Sequence, residues 1–130
     1  MFPETGFTPE EVNRHVKRSG HLCSMLEKNG IIVIASFVSP YRESRKFVRE
    51  QSKNFVEVYM RSTVEACEKR DEKGHYGKAR RGEYRNFPGI DIDYEEPLKP
   101  EIVIYVENTT AEDATSMIVS YLRKNVIYGK

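Results

Sequence analysis

Residues 31–38, Ile-Ile-Val-Ile-Ala-Ser-Phe-Val, decide the predicted fold of this 130-residue chain. The stretch is apolar almost throughout, rich in β-branched residues and without the alternation of a half-exposed strand. Such runs are typical of strands that helices cover on both faces, so the stretch predicts a buried strand of a parallel sheet. Helical patterns precede and follow it, which favours an α/β protein.

The segments on either side of this strand carry helix start and stop signals. Thr-Pro-Glu-Glu at residues 8–11 is a capping box with proline at the first helical position, and Asn29-Gly30 ends that helix. Its expected apolar face contains Val12, Val16, Cys23 and Leu26. After the strand, Ser39 is predicted as the N-cap and Pro40 as the first residue of a second helix that runs to about residue 52.

Two more strands and two more helices complete the predicted order. Residues 55–60 and 101–106 have strand-like composition, Ser62 or Thr63 caps a short helix to about Lys69, and Thr110 opens the last helix. This last helix carries an apolar stripe of Met117, Ile118, Tyr121, Leu122 and Val126. The alternating order predicts one domain over residues 1–130, with three parallel strands, four helices and crossover connections.

The longest stretch without a predicted element covers residues 70–97. Between Arg70 and Pro88 it carries six Lys or Arg residues against three acidic ones, with Tyr76, Tyr84 and Phe87 interleaved. Loops longer than about 12–15 residues are uncommon in compact domains and are usually functional or disordered. The composition predicts a lid over an anionic, aromatic ligand. The alternative is a solvated surface loop.

Composition limits the possible partners. A formal net charge of +1 gives no general attraction to nucleic acid or membrane, so an RNA-binding loop is the weakest interpretation of the basic stretch. Cys23 and Cys67 have no metal-type spacing, which favours reduced thiols and no metal site. No apolar run approaches the roughly 20 residues of a membrane span, and the first four residues do not resemble a signal peptide. We therefore expect a cytoplasmic protein.

The start of the second helix is a candidate ligand site. Ligands of parallel sheets bind beyond the carboxyl ends of the strands, which is where Val38 and Ser39 are expected. Free backbone N–H groups and the positive end of the helix dipole at this helix start predict an anion site. A plain capped helix start is the equally open alternative.

Taken together, the segments resemble the adenylyl-sulfate kinase family. The matching strings, in order, are GFTPE at 6–10, IASFVSPYR at 34–42, FVEV at 55–58, CEKRD at 67–71, KG at 73–74, KAR at 78–80, FPGID at 87–91, and YE at 94–95 with Pro97. The resemblance implies a P-loop-kinase-like parallel sheet. It also implies ATP-dependent phosphorylation of the 3′-hydroxyl of adenylyl sulfate, giving 3′-phosphoadenylyl sulfate in sulfate assimilation, with ATP and Mg²⁺ as cofactors.

The resemblance also implies roles for individual residues. Phe7 and Phe87 match the two phenylalanines that sandwich the adenine of adenylyl sulfate. Val38 and Ser39 match the segment that lines the pocket, and Ser39 also matches a serine treated as a phosphorylated site in some family members.

The basic residues of the lid have implied partners as well. Lys78 and Arg80 match the motif whose charges neutralise phosphate or sulfate oxygens, and Arg70 matches the residue that helps hold the adenine of ATP. Three positions depart from the family: Val12 replaces an arginine, His15 an asparagine and Pro88 a threonine. These departures predict weaker substrate binding.

The family's P-loop is the largest departure. No string in the 130 residues matches G-x-x-x-x-G-K-[ST], and the nearest one, at residues 74–79, has the wrong spacing. The P-loop strand of the family lies between the strands that residues 31–38 and 55–60 resemble. We therefore expect this chain to be inactive alone. It would be either the carboxy-terminal part of a longer kinase, or a remnant that rearranges or borrows strands from a partner, for instance in a homodimer. The alternative function is a non-catalytic adenylyl-sulfate or nucleotide-binding module, or a degraded paralogue.

Overall fold

The computed structural model describes residues 7–129 of the chain. These residues form two compact units, one of residues 7–55 and 71–96 and the other of residues 56–70 and 97–129. The prediction of a single domain with a lid stays a prediction. The elements in chain order are α1 (Pro9–Lys28), α2 (Arg42–Gln51), β1 (Val58–Arg61), α3 (Val64–Lys69), α4 (His75–Arg80), β2 (Ile102–Tyr105), α5 (Ala111–Leu122) and a π-helical turn (Arg123–Ile127).

The first helix confirms its predicted boundaries. The Thr8 hydroxyl accepts a hydrogen bond from Glu11 N at 3.3 Å, and the Glu11 carboxylate accepts one from Thr8 N at 3.1 Å, which is the predicted capping box. Asn29 is the C-cap, and Gly30 follows with a φ of 80°, a conformation that favours glycine.

Helices α1 and α2 pack closely in the first unit because small residues line their contact. A Cβ atom on Gly20 would lie 2.3 Å from Cγ2 of Val48, so only glycine fits there. The Ser24 hydroxyl donates to the Gln51 carbonyl at 2.6 Å and ties the helices further along. The buried residues of α1 are Val16, Ser19, Gly20 and Ser24. The predicted apolar face of α1 is therefore right in Val16 and wrong in Leu26, which is exposed.

The prediction of a buried strand at residues 31–38 is wrong. The structure assigns these residues to no helix or strand, and Ile34 is 93% exposed. A strand needs a neighbour that pairs with its backbone N–H and C=O groups, and no strand within residues 7–129 pairs with this stretch. Apolar composition reports a preference for burial, but it does not supply that neighbour.

The predicted capping of the second helix by Ser39 and Pro40 is also wrong. Helix α2 begins at Arg42, and its N-cap residue Tyr41 makes no side-chain capping bond. A carboxylate from a distant part of the unit takes this position instead, since Arg42 N donates to Glu95 Oε2 at 2.6 Å. Ser39 lies before the helix with a φ of 44°, in the left-handed region.

The second unit is built around a parallel pair of strands. Strand β1 pairs with β2 in the register Val58↔Ile102 to Arg61↔Tyr105, so two of the three predicted strands are confirmed as parallel partners. The sheet within residues 7–129 contains two strands, whereas three were predicted. Ile104, only 1% exposed, lies at its centre.

The helices of the second unit start at the predicted caps. The Thr63 hydroxyl accepts from Ala66 N at 3.2 Å at the start of α3, and the Thr110 hydroxyl accepts from Asp113 N at 3.1 Å at the start of α5. The predicted last helix continues beyond Leu122 as a π-helical turn. Across the part of the chain that the structure describes, no helix combines the length and apolar character needed to span a membrane.

Candidate functional site

The predicted lid contains a short helix that was not expected from the sequence. Helix α4 (His75–Arg80) begins after Gly74, whose φ is 67°. The Asp71 carboxylate accepts a hydrogen bond from Tyr76 N at 2.7 Å and so satisfies a free donor of the first helical turn. The local signal, an aspartate shortly before a glycine, was present in the sequence but short. The lid is therefore partly ordered by helical hydrogen bonds.

Four rings of the lid form one contact group, here called the lid aromatic cluster: His75, Tyr76, Tyr84 and Phe87. The Phe87 ring meets Tyr76 edge-on, with ring centroids 5.0 Å apart, and lies nearly parallel to Tyr84, with centroids 6.2 Å apart. His75 Nδ1 lies 3.3 Å from the Tyr84 hydroxyl. Contacts on two sides thus set the orientation of the Phe87 ring.

The backbone around Phe87 is a tight loop. Phe87 N donates to the Asp91 carboxylate at 3.1 Å, and the Phe87 carbonyl accepts from Asp91 N at 2.9 Å. Gly89 has a φ of 86°, which allows the chain to reverse there. Phe87 lies at the start of this loop. Pro88, inside the loop, forms a parallel β-bridge with Ile92.

The two basic residues predicted for ligand contact lie two positions apart on α4. Lys78 is half-buried, while Arg80, the last residue of the helix, is exposed. Between them, Ala79 is buried. Because two positions along a helix turn a side chain by roughly 200°, Lys78 and Arg80 point in different directions.

The remaining predicted contacts of the first unit differ in accessibility. Phe7, immediately before the N-cap of α1, is 71% exposed, and Val38 is 64% exposed. Ser39 is half-buried, and its hydroxyl is buried without a hydrogen-bond partner among the described residues. The carbonyl of Ser39 accepts a hydrogen bond from the Arg45 guanidinium.

A set of contacts, here called the lid anchor, connects the end of the lid to the start of α2. It consists of Arg42, Arg45, Tyr94 and Glu95. Arg45 donates to the carbonyls of both Ser39 and Glu95, and its guanidinium carbon lies 5.3 Å from the Tyr94 ring centroid. Glu95 N donates to the Pro40 carbonyl at 2.9 Å. The anchor could not be predicted from the sequence, because no local pattern pairs residues about fifty positions apart.

The lid anchor also changes the predicted anion site at the start of α2. The Glu95 carboxylate accepts from Arg42 N at 2.6 Å, where a ligand anion was expected. A carboxylate is stabilised at a helix N-terminus by the same N–H groups and dipole that would bind a phosphate. The prediction of an open anion site on this N–H group is therefore wrong.

In the second unit, polar residues gather at the carboxyl ends of the strands. The Glu107 carboxylate, just after β2, accepts from Thr63 N at 2.8 Å and from the Ser62 hydroxyl at 2.9 Å, just after β1. The hydrogen bond from the Thr63 backbone is the main cause of a lowered Glu107 pKa. Arg70, predicted to contact the ATP adenine, donates to the Val106 carbonyl at 3.3 Å.

The resemblance implies Mg²⁺ as a cofactor, which requires oxygen ligands that converge on one point. Among residues 7–129, no three His, Cys, Asp or Glu side chains converge in a way that could hold a metal ion. The described residues therefore do not form a metal centre of their own.

A small parallel sheet together with helices defines an α/β protein, and solved structures with a similar fold are known. One is the structure of the Mycobacterium tuberculosis APS kinase CysC in complex with AMPPNP and APS, with a TM-score of 0.85 and 28% sequence identity, covering 92% of this chain and 71% of that one. The family model described as Adenylylsulphate kinase matches residues 1–105. The chain belongs to the adenylylsulphate kinase family, as its motifs predicted.

Two curated relatives of the chain are also adenylyl-sulfate kinases. The adenylyl-sulfate kinase of Staphylococcus carnosus is 44% identical over 119 residues, covering 90% of this chain and 60% of the relative. That of Oceanobacillus iheyensis is 43% identical over 120 residues, covering 91% of this chain and 60% of the relative. The chain thus spans 60% of the length of these curated relatives.

Proposed function

We propose that this chain is an adenylyl-sulfate kinase-type protein that binds adenylyl sulfate. In the complete reaction, the 3′-hydroxyl of adenylyl sulfate receives the γ-phosphoryl group of ATP, giving 3′-phosphoadenylyl sulfate and ADP. The observation that carries the proposal is the family match over residues 1–105, since this range includes all the predicted contact residues.

The aromatic residues support binding of the adenine. Phe87 is held by the lid aromatic cluster, and Phe7 is largely exposed and so accessible to a ligand. In our proposal the adenine stacks on Phe87 and Phe7. Base–aromatic stacking contributes roughly 1–3 kcal/mol per base in nucleic-acid sites.

The polar contacts of the proposal follow the family motif. Lys78 or Arg80 neutralises sulfate or phosphate oxygens, and the exposed position of Arg80 suits an incoming anion. Val38 and Ser39 line the pocket with backbone groups, and Arg70 contacts the ATP adenine. Phosphorylation of Ser39 stays a prediction, and its buried hydroxyl would first have to become accessible.

In this proposal, binding of the ATP phosphates requires residues outside the described set. Phosphoryl transfer depends mainly on positioning and on neutralising charge around the phosphates. The 130 residues contain no G-x-x-x-x-G-K-[ST] string for that purpose. We therefore assign the binding of the ATP phosphates to residues other than these, in a further segment of the protein or in a partner protein of different sequence.

Isothermal titration of the purified chain with adenylyl sulfate, and separately with ATP, tests the proposal. We expect adenylyl sulfate to bind, and Phe87→Ala to weaken this binding about tenfold or more through lost stacking. Leu98→Ala is the matched control, since Leu98 is exposed and lies after the lid. Absence of adenylyl-sulfate binding would contradict the proposal.

A phosphoryl-transfer assay that follows ADP release separates the kinase from the non-catalytic module. Turnover in the presence of ATP, adenylyl sulfate and Mg²⁺ supports the kinase. Binding of adenylyl sulfate without turnover, even when a P-loop-containing segment of a relative is added, supports the module.

A further inference from the structure

Arg45 connects two segments of the first unit that are far apart in the sequence. One of its terminal nitrogens donates to the Ser39 carbonyl and the other to the Glu95 carbonyl. The guanidinium also lies over the Tyr94 ring. Because a guanidinium is planar and presents its donors in a rigid fork, the position of one carbonyl restricts the position of the other.

The Ser39 backbone needs such support. A φ of 44° in a non-glycine residue is strained and persists only where the surroundings hold it. Three neighbours do so: Pro40 is fully buried, its carbonyl accepts from Glu95 N at 2.9 Å, and Arg45 binds the Ser39 carbonyl. The conformation of Ser39 therefore depends on contacts with the end of the lid.

We propose that Arg45 is a positioning residue for adenylyl sulfate. By holding the Ser39 and Glu95 carbonyls on one guanidinium, it sets the backbone at Val38 and Ser39 relative to the carboxy-terminal end of the lid. This inference rests on the proposed function, because these segments are the proposed pocket wall and lid. Arg45 acts through the two carbonyls and needs no contact with the substrate.

Replacement by lysine separates this role from a simple need for positive charge. Arg45→Lys keeps the charge, but its single ammonium group cannot reproduce the two parallel donors of the fork. The matched control is Arg49→Lys, the same substitution on the same helix at an arginine that lies over the Phe55 ring. An electrostatic role predicts no loss in Arg45→Lys, whereas a positioning role predicts a clear one.

The first measurement is calorimetric titration of both variants with adenylyl sulfate. We expect Arg45→Lys to weaken binding about tenfold, the effect of losing one hydrogen bond to a charged group, and Arg49→Lys to change it less than about twofold. Tyr94→Leu, which removes the ring under the guanidinium and leaves Arg45 in place, is expected to weaken binding about threefold. It provides a second test if Arg45→Lys folds poorly.

The second measurement is amide hydrogen exchange without ligand. The Glu95 amide donates to the Pro40 carbonyl, so it should exchange about tenfold faster in Arg45→Lys than in the wild type. In Arg49→Lys its exchange rate should equal that of the wild type. The thermal midpoint of the unit is measured alongside, to show that the change is local.

The outcomes distinguish the two proposals. If the wild type binds adenylyl sulfate and both Arg45→Lys and Tyr94→Leu bind it equally well, the positioning role is overturned and the proposed function stands. Faster Glu95 exchange with unchanged affinity also overturns the positioning role. If the wild type does not bind, the proposed function fails and the positioning role fails with it, while the exchange data still show whether Arg45 ties the two segments.

Discussion

Residues 31–38 and strand β2 are both rich in isoleucine and valine, yet they end in opposite environments. Strand β2 pairs with β1 along its length, and its Ile104 is buried. Residues 31–38 form no strand, and Ile32, Ile34 and Val38 are mostly exposed. A lateral partner for the backbone, in addition to apolar composition, therefore decides whether such a stretch becomes a strand.

The largest expected effect compares the same substitution in the two stretches. Ile104→Ala removes buried methyl groups from the sheet and should lower the free energy of unfolding by about 2–5 kcal/mol. Ile34→Ala, at an exposed position, should stay within about 0.5 kcal/mol of the wild type. Urea unfolding followed by circular dichroism measures both. Equal losses would break the comparison, because Ile34 would then be buried in solution.

A second substitution tests the contact between α1 and α2, around which the first unit packs without a strand. Gly20→Val places a side chain into Val48 at the closest approach of α1 and α2, and overpacking of this kind costs about 1–3 kcal/mol. Thermal unfolding measures the loss. Gly20→Ala alone should also be less stable than the wild type, because its Cβ meets the Val48 side chain. Adding Val48→Ala should recover most of the stability that Gly20→Ala loses. A Gly20→Val protein as stable as the wild type would show that this helix contact is looser than described.

A third, smaller effect concerns the end of β2. The pKa of Glu107 is lowered below its ordinary value of 4.5, chiefly by the Thr63 backbone hydrogen bond. A carboxyl group whose pKa is lowered on folding stabilises the fold above the unfolded pKa, and this contribution is lost as the pH falls through the folded pKa. The wild type should therefore lose more stability than Glu107→Gln when the pH is lowered below 4.5.

Thermal midpoints at pH 7 and at several values below 4.5 check this prediction. Glu65→Gln, an exposed position in the first turn of α3, serves as the control. Parallel pH profiles for the wild type and Glu107→Gln would show that the Glu107 contacts with Ser62 and Thr63 do not persist in solution.

The smallest expected change in stability comes from a charge placed in the exposed residues 31–38. Ile34→Lys should leave the unfolding free energy within about 0.5 kcal/mol of the wild type. It should lower self-association at high protein concentration, since a charge interrupts an exposed apolar, strand-prone run. Light scattering over a concentration series measures the association. Lys53→Ile, at an exposed position outside this run, is the reverse control.

Local signals explain most of what could be predicted from the sequence. The caps at Thr8, Thr63 and Thr110 rest on bonds that reach only three residues along the chain. Thr8 and Thr110 are confirmed as predicted, and Thr63 is confirmed as one of the two predicted candidates, Ser62 and Thr63. The family was recognisable because its motifs occur in order over most of the chain. The roles assigned to Phe7, Lys78, Arg80 and Phe87 stay predictions.

The failures come from contacts that are distant in sequence. Residues 31–38 were assigned to a strand from composition alone, and composition does not report a pairing partner. Ser39 was chosen as a cap from local residue type, whereas Glu95 meets the first turn of α2 from more than fifty residues away. The same distance concealed the bonds of Arg45.

The lid anchor also has a consequence for folding kinetics. The bond from Arg45 to the Glu95 carbonyl joins residues 50 positions apart, so it closes a long loop. Loop closure costs chain entropy before the contact repays it, and contacts of high sequence separation slow folding. We expect the anchor to form after the transition state, so that Arg45 substitutions accelerate unfolding and leave the rate of folding nearly unchanged.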